Sequence, residues 1–330
     1  MTTLCCRFSA LGDIALTIPS VYNACRSNPD MQFLFLTRER PAEMMIDTPE
    51  NLKVVGVNLD DYRGVAGIWR LSRMLKRDHG VDRVVDLHDV IRTRLLRLML
   101  RLGGARVSHV RKFRCERRAL TRRSNKVLVQ LPSAEERYDN AFRRCGIDLS
   151  HTFRSLFPSP LEKRQKWVAV APFATHDTKV YPLAMMEQVV GELAGIPDIK
   201  VLVFGFGERE EKIIDEWSRR WPAVRNMACE RLPLSEEMRL MAQCRVMLSM
   251  DSANMHLASV CGTPVVSIWG STHPYGGFLG WRQSLDDALQ LNITCRPCSI
   301  YGNRPCERGD CQCLRGIPPQ RVVQAIKAHL

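Results

Sequence analysis

The sequence lacks any uninterrupted apolar run that approaches the roughly 18 to 20 residues of a membrane-spanning helix. Arg7 and Asp13 interrupt the apolar stretch near the N-terminus, so we expect neither a transmembrane span nor a secretory signal. Acidic residues are also scarce: 35 Asp and Glu stand against 48 Lys and Arg, a formal net charge of +13. A composition of 45% hydrophobic and 25% charged residues argues against disorder and coiled coil. At 330 residues, two globular domains are expected.

Common catalytic motifs are absent as well. After Gly205-Phe206-Gly207, the position of the third glycine in a dinucleotide fingerprint is occupied by Glu210. The sequence contains no Gly-x-x-x-x-Gly-Lys-Ser/Thr phosphate loop, no Gly-x-Ser-x-Gly elbow and no His-Glu-x-x-His helix. These absences argue against NAD binding, P-loop phosphoryl transfer, serine hydrolysis and metalloprotease chemistry.

Alternating strand and helix patterns predict an α/β fold with parallel sheets. The strands predicted in the first half are 4–8, 32–37, 52–57, 83–86, 106–110 and 126–130. The pattern restarts at 167–171 and continues with strands at 200–204, 225–227, 246–250 and 264–269. A proline-containing stretch at 157–165 is typical of an interdomain linker.

We therefore predict two domains, over residues 1–160 and 161–318. The second domain includes a cysteine-rich segment at 295–313. A final helix at 319–330 follows, for which we consider packing against the first domain.

The first informative segment runs from Arg7 to Pro19, directly after the first strand. Gly12 permits close backbone approach, and Asp13 falls near a helix start at the carboxyl end of the strand. A carboxylate there is suited to act as a general base. The alternative is that Asp13 only caps the helix, a common role for aspartate.

The second segment follows the first strand of the second half. Thr175 and Thr178 supply hydroxyl groups and Lys179 supplies an ammonium group, which together suit a phosphate clamp. The alternative is a solvated loop with a surface lysine.

The third segment is a buried strand that ends in Asp251-Ser252 before a helix. Side-chain acceptors combined with the free N–H groups of a helix N-terminus favour a bound anion. His256 lies one turn into this helix, so it either faces the same site or packs in the core.

These three segments, in this order and at this separation, resemble glycosyltransferase family 9, the ADP-heptose:lipopolysaccharide heptosyltransferases and their relatives. A fourth match is the stretch from Asp86 to Thr93, which is similar to the family's Asp-Leu-x-x-x-x-Arg-Ser/Thr segment. The resemblance covers essentially the whole chain. Ala253 and Asn254 depart from it, because the heptosyltransferases often carry Gly and a small apolar residue there.

The resemblance implies a GT-B fold, in which two Rossmann-like domains with parallel sheets face a central cleft. It implies inverting transfer of a sugar from a nucleotide-sugar donor, probably ADP-heptose, to a lipopolysaccharide core or another lipid-linked saccharide. Under it, Asp13 is the catalytic base, and Gly12 and Arg92 belong to the acceptor site. The donor-binding residues that it implies are Thr175, Lys179, Glu208, Asp251, Ser252 and His256. No metal cofactor is required.

Five cysteines near the C-terminus, Cys295, Cys298, Cys306, Cys311 and Cys313, leave three alternatives open. Structural zinc is one, although the spacing is not that of a standard finger. The others are buried free thiols and disulfides, and the scattered cysteines elsewhere favour a reducing cytoplasm.

The positive charge is concentrated between Arg92 and Lys126, where thirteen basic residues accompany a single acid, Glu116. In an acceptor-binding domain this stretch is expected to meet phosphorylated glycolipid and the anionic membrane surface, which predicts a peripheral protein on the inner face of the cytoplasmic membrane. The competing hypotheses are a relative with a different donor, a catalytically silent scaffold of the same fold, and a basic nucleic-acid binder with a cysteine-rich metal module. Nucleic acid is not expected, because Phe113 is the only aromatic residue in the stretch.

Overall fold

The computed structural model describes residues 1–157 and 161–330, and its chain divides into two units. The first unit contains Met1–Lys112 and the segment that starts at Ser133. The second contains Phe113–Pro132 and the C-terminal part of the chain through Leu330. The central residues of the expected linker, 158–160, lie outside the described ranges.

The first unit is a five-stranded parallel sheet in the order β3-β2-β1-β4-β5. Its strands are β1 (Thr2–Cys6), β2 (Gln32–Arg38), β3 (Leu52–Val57), β4 (Val81–Asp86) and β5 (Arg106–His109). Its helices are α1 (Leu11–Ala15), α2 (Ile18–Ser27), α3 (Glu39–Ala42), α4 (Gly64–His79), α5 (Ile91–Leu102) and α7 (Ala134–Arg144). Leu4 of β1 pairs with Leu34 on one side and with Val84 on the other, and all three are buried.

The second unit is a six-stranded parallel sheet in the order β11-β10-β9-β6-β7-β8. Its strands are β6 (Arg164–Ala171), β7 (Lys200–Val203), β8 (Val224–Asn226), β9 (Cys244–Met250), β10 (Val265–Ile268) and β11 (Ala288–Leu289). Its helices are α6 (Arg114–Leu120), α8 (Leu183–Ala194), α9 (Glu208–Arg220), α10 (Leu234–Gln243), α11 (Ala253–Val260), α12 (Gln312–Arg315) and α13 (Pro319–Lys327). Two short 3₁₀ turns, Asp177–Lys179 and Pro274–Gly276, complete it.

Both sheets have a point at which the strand order reverses. In the first unit the chain builds outward from β1 to β3, then returns to place β4 on the other side of β1. In the second it builds from β6 to β8, then returns to place β9 beside β6. Loops that leave the two strands at such a point diverge and open a crevice at their carboxyl ends, where open α/β sheets bind ligands.

The segment Phe113–Pro132, expected in a first domain of residues 1–160, packs instead with the second unit. Its Arg117 is 9% exposed, with its guanidinium 4.9 Å from the ring centroid of Phe278 and its Nη1 donating to the Tyr301 hydroxyl at 2.6 Å. The Leu131 N–H donates to the Tyr275 carbonyl at 2.9 Å. A hydrogen-bonded, ring-stacked arginine therefore anchors this segment.

One predicted strand also differs from the structure. Residues 126–130 form no strand, and Val127, Leu128 and Val129 remain about half exposed, because their backbone joins neither sheet. The final helix α13 belongs to the second unit. It packs against α8 and the β9-β10 part of the second sheet and buries Val322 and Ile326 there.

Among the described residues, the helices are too short or too polar for any of them to cross a bilayer.

Candidate functional site

The first candidate site lies where β1 and β4 diverge. Asp13 is the third residue of α1, whose N-cap is Ala10, so Asp13 does not cap the helix as the alternative interpretation supposed. Its Oδ2 is 2.6 Å from Nη2 of Arg7, which leaves the end of β1. Arg7 also donates from Nη1 to the Leu87 carbonyl after β4, at 2.5 Å. One buried arginine thus joins the two strand ends and holds the carboxylate.

Helix α7 supports this arrangement from the same unit. The Tyr138 hydroxyl donates to the Asp13 carbonyl at 3.5 Å, and the Arg7 guanidinium lies 5.9 Å from the Tyr138 ring centroid. Helix α7 begins with a complete capping box, in which Ser133 accepts the Glu136 N–H and Glu136 accepts the Ser133 N–H. A well-capped helix therefore fixes the ring against which Arg7 rests.

His88 is a functional candidate that sequence reasoning did not single out. Its Nδ1 accepts the Phe8 N–H at 3.4 Å, and its Nε2 lies 3.3 Å from the Ser9 hydroxyl. Burial, together with the nearby cations Arg7 and Lys112, lowers the pKa of His88 to about 3. The ring is therefore neutral near pH 7, and because Nδ1 accepts, Nε2 carries the proton and donates. His88 is equipped to position the Ser9 loop rather than to remove a proton.

An ionic network follows His88. Asp86 is fully buried and accepts the His88 and Asp89 N–H groups, while its Oδ2 pairs with Arg97 at 2.9 Å. Asp89 pairs with Arg94 at 2.8 Å. Two of the basic side chains in the stretch, Arg94 and Arg97, thus neutralise acids at the end of β4 and just after it, and are engaged within the unit.

The two residues expected at the acceptor site are placed differently from each other. Gly12 is buried in α1 beside Asp13. Arg92 is the second residue of α5 and donates from Nη1 to the Leu59 carbonyl, in the loop after β3, at 3.3 Å. The contacts of the described residues thus place Gly12 beside Asp13 and direct Arg92 towards a different loop.

The second candidate site lies where β6 and β9 diverge. Lys179, from the loop after β6, places its Nζ 2.9 Å from Oδ2 of Asp251, which follows β9 directly. The Thr272 hydroxyl, after β10, donates to the same oxygen at 2.7 Å. The side chains of Lys179 and Asp251 are 15% and 8% exposed. Two of the predicted segments therefore meet in a single buried ion pair.

The backbone around Lys179 is held by small residues and hydroxyls. Thr178 donates to the Gly302 carbonyl at 2.6 Å and accepts from the Ser271 hydroxyl at 2.9 Å. A Cβ at Gly302 would lie 2.4 Å from Cδ of Lys179, so only glycine leaves the lysine stem in place. Thr178 is therefore part of the loop framework, whereas Thr175 is exposed. Gly302 gave no signal in the sequence, because nothing in its local pattern links it to position 179.

Ser252 and His256 belong to α11 at the same sheet edge. Ser252 is the N-cap residue, and its hydroxyl lies 3.3 Å from that of Ser249 in β9. His256 lies one turn into the helix and is 6% exposed. The N-terminus of α11 therefore lies next to the Lys179–Asp251 pair. His256 is buried one turn further along the same helix.

Glu208 begins α9 after β7 and is exposed, so the contacts of the described residues do not join it to Lys179. Gly207 has a φ of 87°, a conformation that favours glycine and lets the chain turn from β7 into the helix. The neighbouring Glu210 accepts the Phe206 N–H at 2.7 Å, and burial raises the pKa of Glu210.

The thirteen cysteines all carry free thiols. In the cysteine-rich segment Cys313 is buried and the other four are partly exposed. Although burial opposes it, backbone N–H groups of Cys311, Arg308 and Gly309 lower the pKa of Cys306. In the described part of the chain, the one trio of possible ligand atoms within 4.8 Å of one another is Glu135, Asp139 and His151 on and near α7, a group that the sequence did not suggest.

Two α/β units, each with charged residues at the reversal point of a parallel sheet, define the domain plan of the GT-B glycosyltransferases. The sequence profile of glycosyltransferase family 9 (heptosyltransferase) matches residues 68–304. This chain belongs to that family. The predicted family and the predicted pair of α/β domains are thus confirmed.

Individual relatives are distant. Lipooligosaccharide heptosyltransferase 2 of Campylobacter jejuni is 24% identical over 187 residues, and the match covers 54% of this chain and 56% of that protein. Lipopolysaccharide heptosyltransferase 1 of Pseudomonas aeruginosa is 23% identical over 370 aligned positions, which cover 100% of this chain and 98% of that one. Among solved structures, the Escherichia coli heptosyltransferase WaaC with ADP superposes with a TM-score of 0.69 at 17% identity, with 100% of each chain covered.

Proposed function

We propose that this protein is an inverting glycosyltransferase that moves heptose from ADP-heptose to a lipopolysaccharide core or a related lipid-linked saccharide. Family membership supports the reaction class, and the heptosyltransferases to which the chain is similar support the sugar and the acceptor. The observation that carries the assignment is the buried Lys179–Asp251 pair at the reversal point of the second sheet.

The second unit is proposed to bind the donor. When the anomeric carbon–oxygen bond breaks, its electron pair goes to the diphosphate, so negative charge grows on the leaving group. The Lys179 ammonium and the N–H groups at the start of α11 are preorganised to stabilise that charge, an effect larger in the transition state than in the ground state. Asp251, which accepts the Thr272 hydroxyl, holds the ammonium in position until the diphosphate arrives.

The first unit is proposed to bind the acceptor. The acceptor hydroxyl oxygen forms the new bond to the anomeric carbon, and its proton passes to the Asp13 carboxylate. Arg7 sets the direction of that carboxylate, so taking up the proton requires the 2.6 Å ion pair to weaken as the acceptor binds. His88, neutral and donating to Ser9, maintains the loop that precedes Asp13.

No metal ion takes part in the proposed reaction, because lysine and helix N–H groups perform the charge stabilisation. Transfer that is unchanged after chelator treatment would support this assignment, and loss of transfer that is restored by one divalent cation would contradict it. Metal analysis of the purified protein would separately test structural zinc at Cys295, Cys298, Cys306, Cys311 and Cys313.

The protein is proposed to work at the inner face of the cytoplasmic membrane as a peripheral enzyme. Phosphorylated glycolipid and anionic lipid are the partners that the basic stretch suits. Of that stretch, Arg117 is buried and stacked, but Arg114 and Arg118 are exposed. Reversal of Arg114 and Arg118 to Glu should weaken binding to anionic vesicles without changing nucleotide binding. Unchanged vesicle binding would remove these two residues from the proposed contact.

A thermal-unfolding screen of ADP-, GDP- and UDP-sugars tests the donor. ADP-heptose should raise the unfolding temperature, because a ligand that binds only the folded state stabilises it. Protection by another nucleotide-sugar and not by ADP-heptose would favour a relative with a different donor. Ala253 and Asn254, which depart from the family pattern beside Ser252, are the observation in favour of that second candidate.

A further inference from the structure

Helix α5 carries two apolar faces. One is buried: Leu96 and Leu100 are each 1% exposed and belong to the core of the first unit. The other is formed by Ile91, Leu98 and Leu102, which are 86%, 51% and 81% exposed. Residues seven and eleven positions apart lie on one line of a helix, here the line opposite to the core. The core explains the first face and leaves the second, the outer α5 stripe, without a role.

Helix α4 extends this surface. Val65 and Trp69, one turn apart, are 65% and 49% exposed. Lys76 lies two turns after Trp69 on the same side of α4, and its Cε is 3.1 Å from the position of a Cβ at Gly103, directly after α5. That side of α4 therefore faces α5, and the two exposed residues lie beside the outer α5 stripe.

The stripe is bordered by cations. The sequence of α5, Ile-Arg-Thr-Arg-Leu-Leu-Arg-Leu-Met-Leu-Arg-Leu, contains no acid. Arg101 is exposed on one flank of the stripe, and Arg73 lies 4.8 Å from the Trp69 ring centroid. Arg94, on the same flank as Arg101, is exposed but pairs with Asp89. Leucine and tryptophan bordered by arginine is the composition of helices that lie in the boundary between lipid head groups and acyl chains.

We propose that the outer α5 stripe, with Val65 and Trp69, inserts into the interface of an anionic bilayer. The occupant is a lipid surface rather than an acidic protein, because the apolar side chains project outward in a line and the cations flank them. Helix α5 begins directly after β4, at the same sheet edge from which Asp13 projects, so insertion would bring the Asp13 loop to the membrane surface. That insertion presents Asp13 to a lipid-linked acceptor rests on the proposed function, whereas the insertion itself does not.

Flotation with vesicles tests the insertion. The test variant combines Leu98→Ser and Leu102→Ser, and its matched control combines Val129→Ser and Leu285→Ser, two apolar residues 59% and 48% exposed in the second unit. With vesicles of phosphatidylglycerol and phosphatidylethanolamine, we expect the partition coefficient to fall about tenfold for each leucine removed. The control should bind as the wild type does. High salt should weaken binding without abolishing it, because only the charge component is screened.

The proposal would be overturned if the test variant floated as well as the wild type, or if the wild type bound neither anionic nor neutral vesicles. It would also be overturned if the wild type were a dimer that the two substitutions convert to a monomer while vesicle binding stays the same. Protection by ADP-heptose against thermal unfolding is measured on the same samples. Since both leucines lie outside the donor site, loss of flotation with retained protection would leave the proposed function intact. Retained flotation without protection would contradict the proposed donor and keep the insertion.

Discussion

Each unit has an ion pair after the strands at its reversal point, and the residue proposed to act is the acid of the pair in one unit and the cation in the other. In the first, the residue proposed to react is an acid, Asp13, and a cation from the end of β1 holds it. In the second, the residue proposed to act is a cation, Lys179, and an acid from the end of β9 holds it. The Lys179–Asp251 pair joins the two strand ends of one reversal, and Arg7 joins those of the other by donating also to the Leu87 carbonyl after β4, so the fold supplies the location. The sign of the acting group then determines the chemistry, which is proton removal in one unit and stabilisation of an anion in the other.

Asp13→Asn tests whether the acid of the first unit removes the acceptor proton, and it has the largest expected effect. Loss of the general base should lower kcat by about 10²- to 10⁴-fold, because the amide cannot take the acceptor proton. The dissociation constant of ADP, measured by calorimetry, should be unchanged. Asp30→Asn, an exposed acid in the same unit, is the control. Turnover by Asp13→Asn at the wild-type rate would remove Asp13 from its role.

Lys179→Met should give the complementary pattern. Loss of a charge-assisted contact to the diphosphate should weaken ADP binding by about ten- to hundredfold. Lys163→Met is a matched control, because the Lys163 ammonium is also partly buried but donates to the Cys244 carbonyl and the Thr263 hydroxyl. Equal ADP affinity in wild type and Lys179→Met would contradict the donor assignment.

Gly302→Ala tests whether the framework around Lys179 matters as much as the ammonium itself. The added Cβ would overlap the lysine stem, and its φ of 80° is unfavourable for alanine, so we expect about tenfold weaker ADP binding. The comparison variant is Gly309→Ala, which has a similar φ of 74° and no atom within 4 Å of the added Cβ. If both variants lost affinity equally, backbone strain alone would explain the effect.

The smallest expected effect compares two histidines, one in each unit: His88 is buried and His273 is partly buried. Burial lowers the pKa of His88 to about 3 and that of His273 to about 4. Below pH 6.5 the histidines of the unfolded chain take up protons that the folded histidines do not. The free energy of unfolding therefore decreases as the pH is lowered. Between pH 6.5 and 5 each histidine should contribute equally, by less than about 2 kcal/mol.

Urea unfolding of His88→Gln and His273→Gln at both pH values measures these contributions. Each substitution should flatten the pH dependence. A steeper dependence in either variant would show that the histidine is protonated in the folded state.

The strands and helices of both units could be predicted largely from sequence, because apolar periodicity records burial on one face. The prediction at 126–130 was wrong: Val127, Leu128 and Val129 have strand propensity, but they pair with no strand of either sheet and remain about half exposed. Such pairing depends on the whole chain rather than on the local pattern.

The candidate sites were predicted in part. Asp251 follows a strand directly, and Asp13 and Lys179 lie in the segments just after strands, so their position at a sheet edge could be inferred. Their partners could not. Arg7 is close to Asp13 in sequence, but their pairing depends on the turn between them. Thr272 reaches Asp251 only through the strand order, and His88 is recognisable only once β1 and β4 are known to be neighbours.

The excursion of Phe113–Pro132 into the second unit sets an order of events during synthesis. Arg117 and its hydrogen-bond partner Tyr301 are separated by 184 residues. At about 5 to 20 residues per second, roughly 10 to 40 s pass on the ribosome between the appearance of the two. The first sheet is complete by His109, so it can form early, while the excursion waits for the C-terminal segment. A chain truncated before Tyr301 would leave Arg117 without this hydrogen bond, so this part of the second unit closes only after Tyr301 has been made.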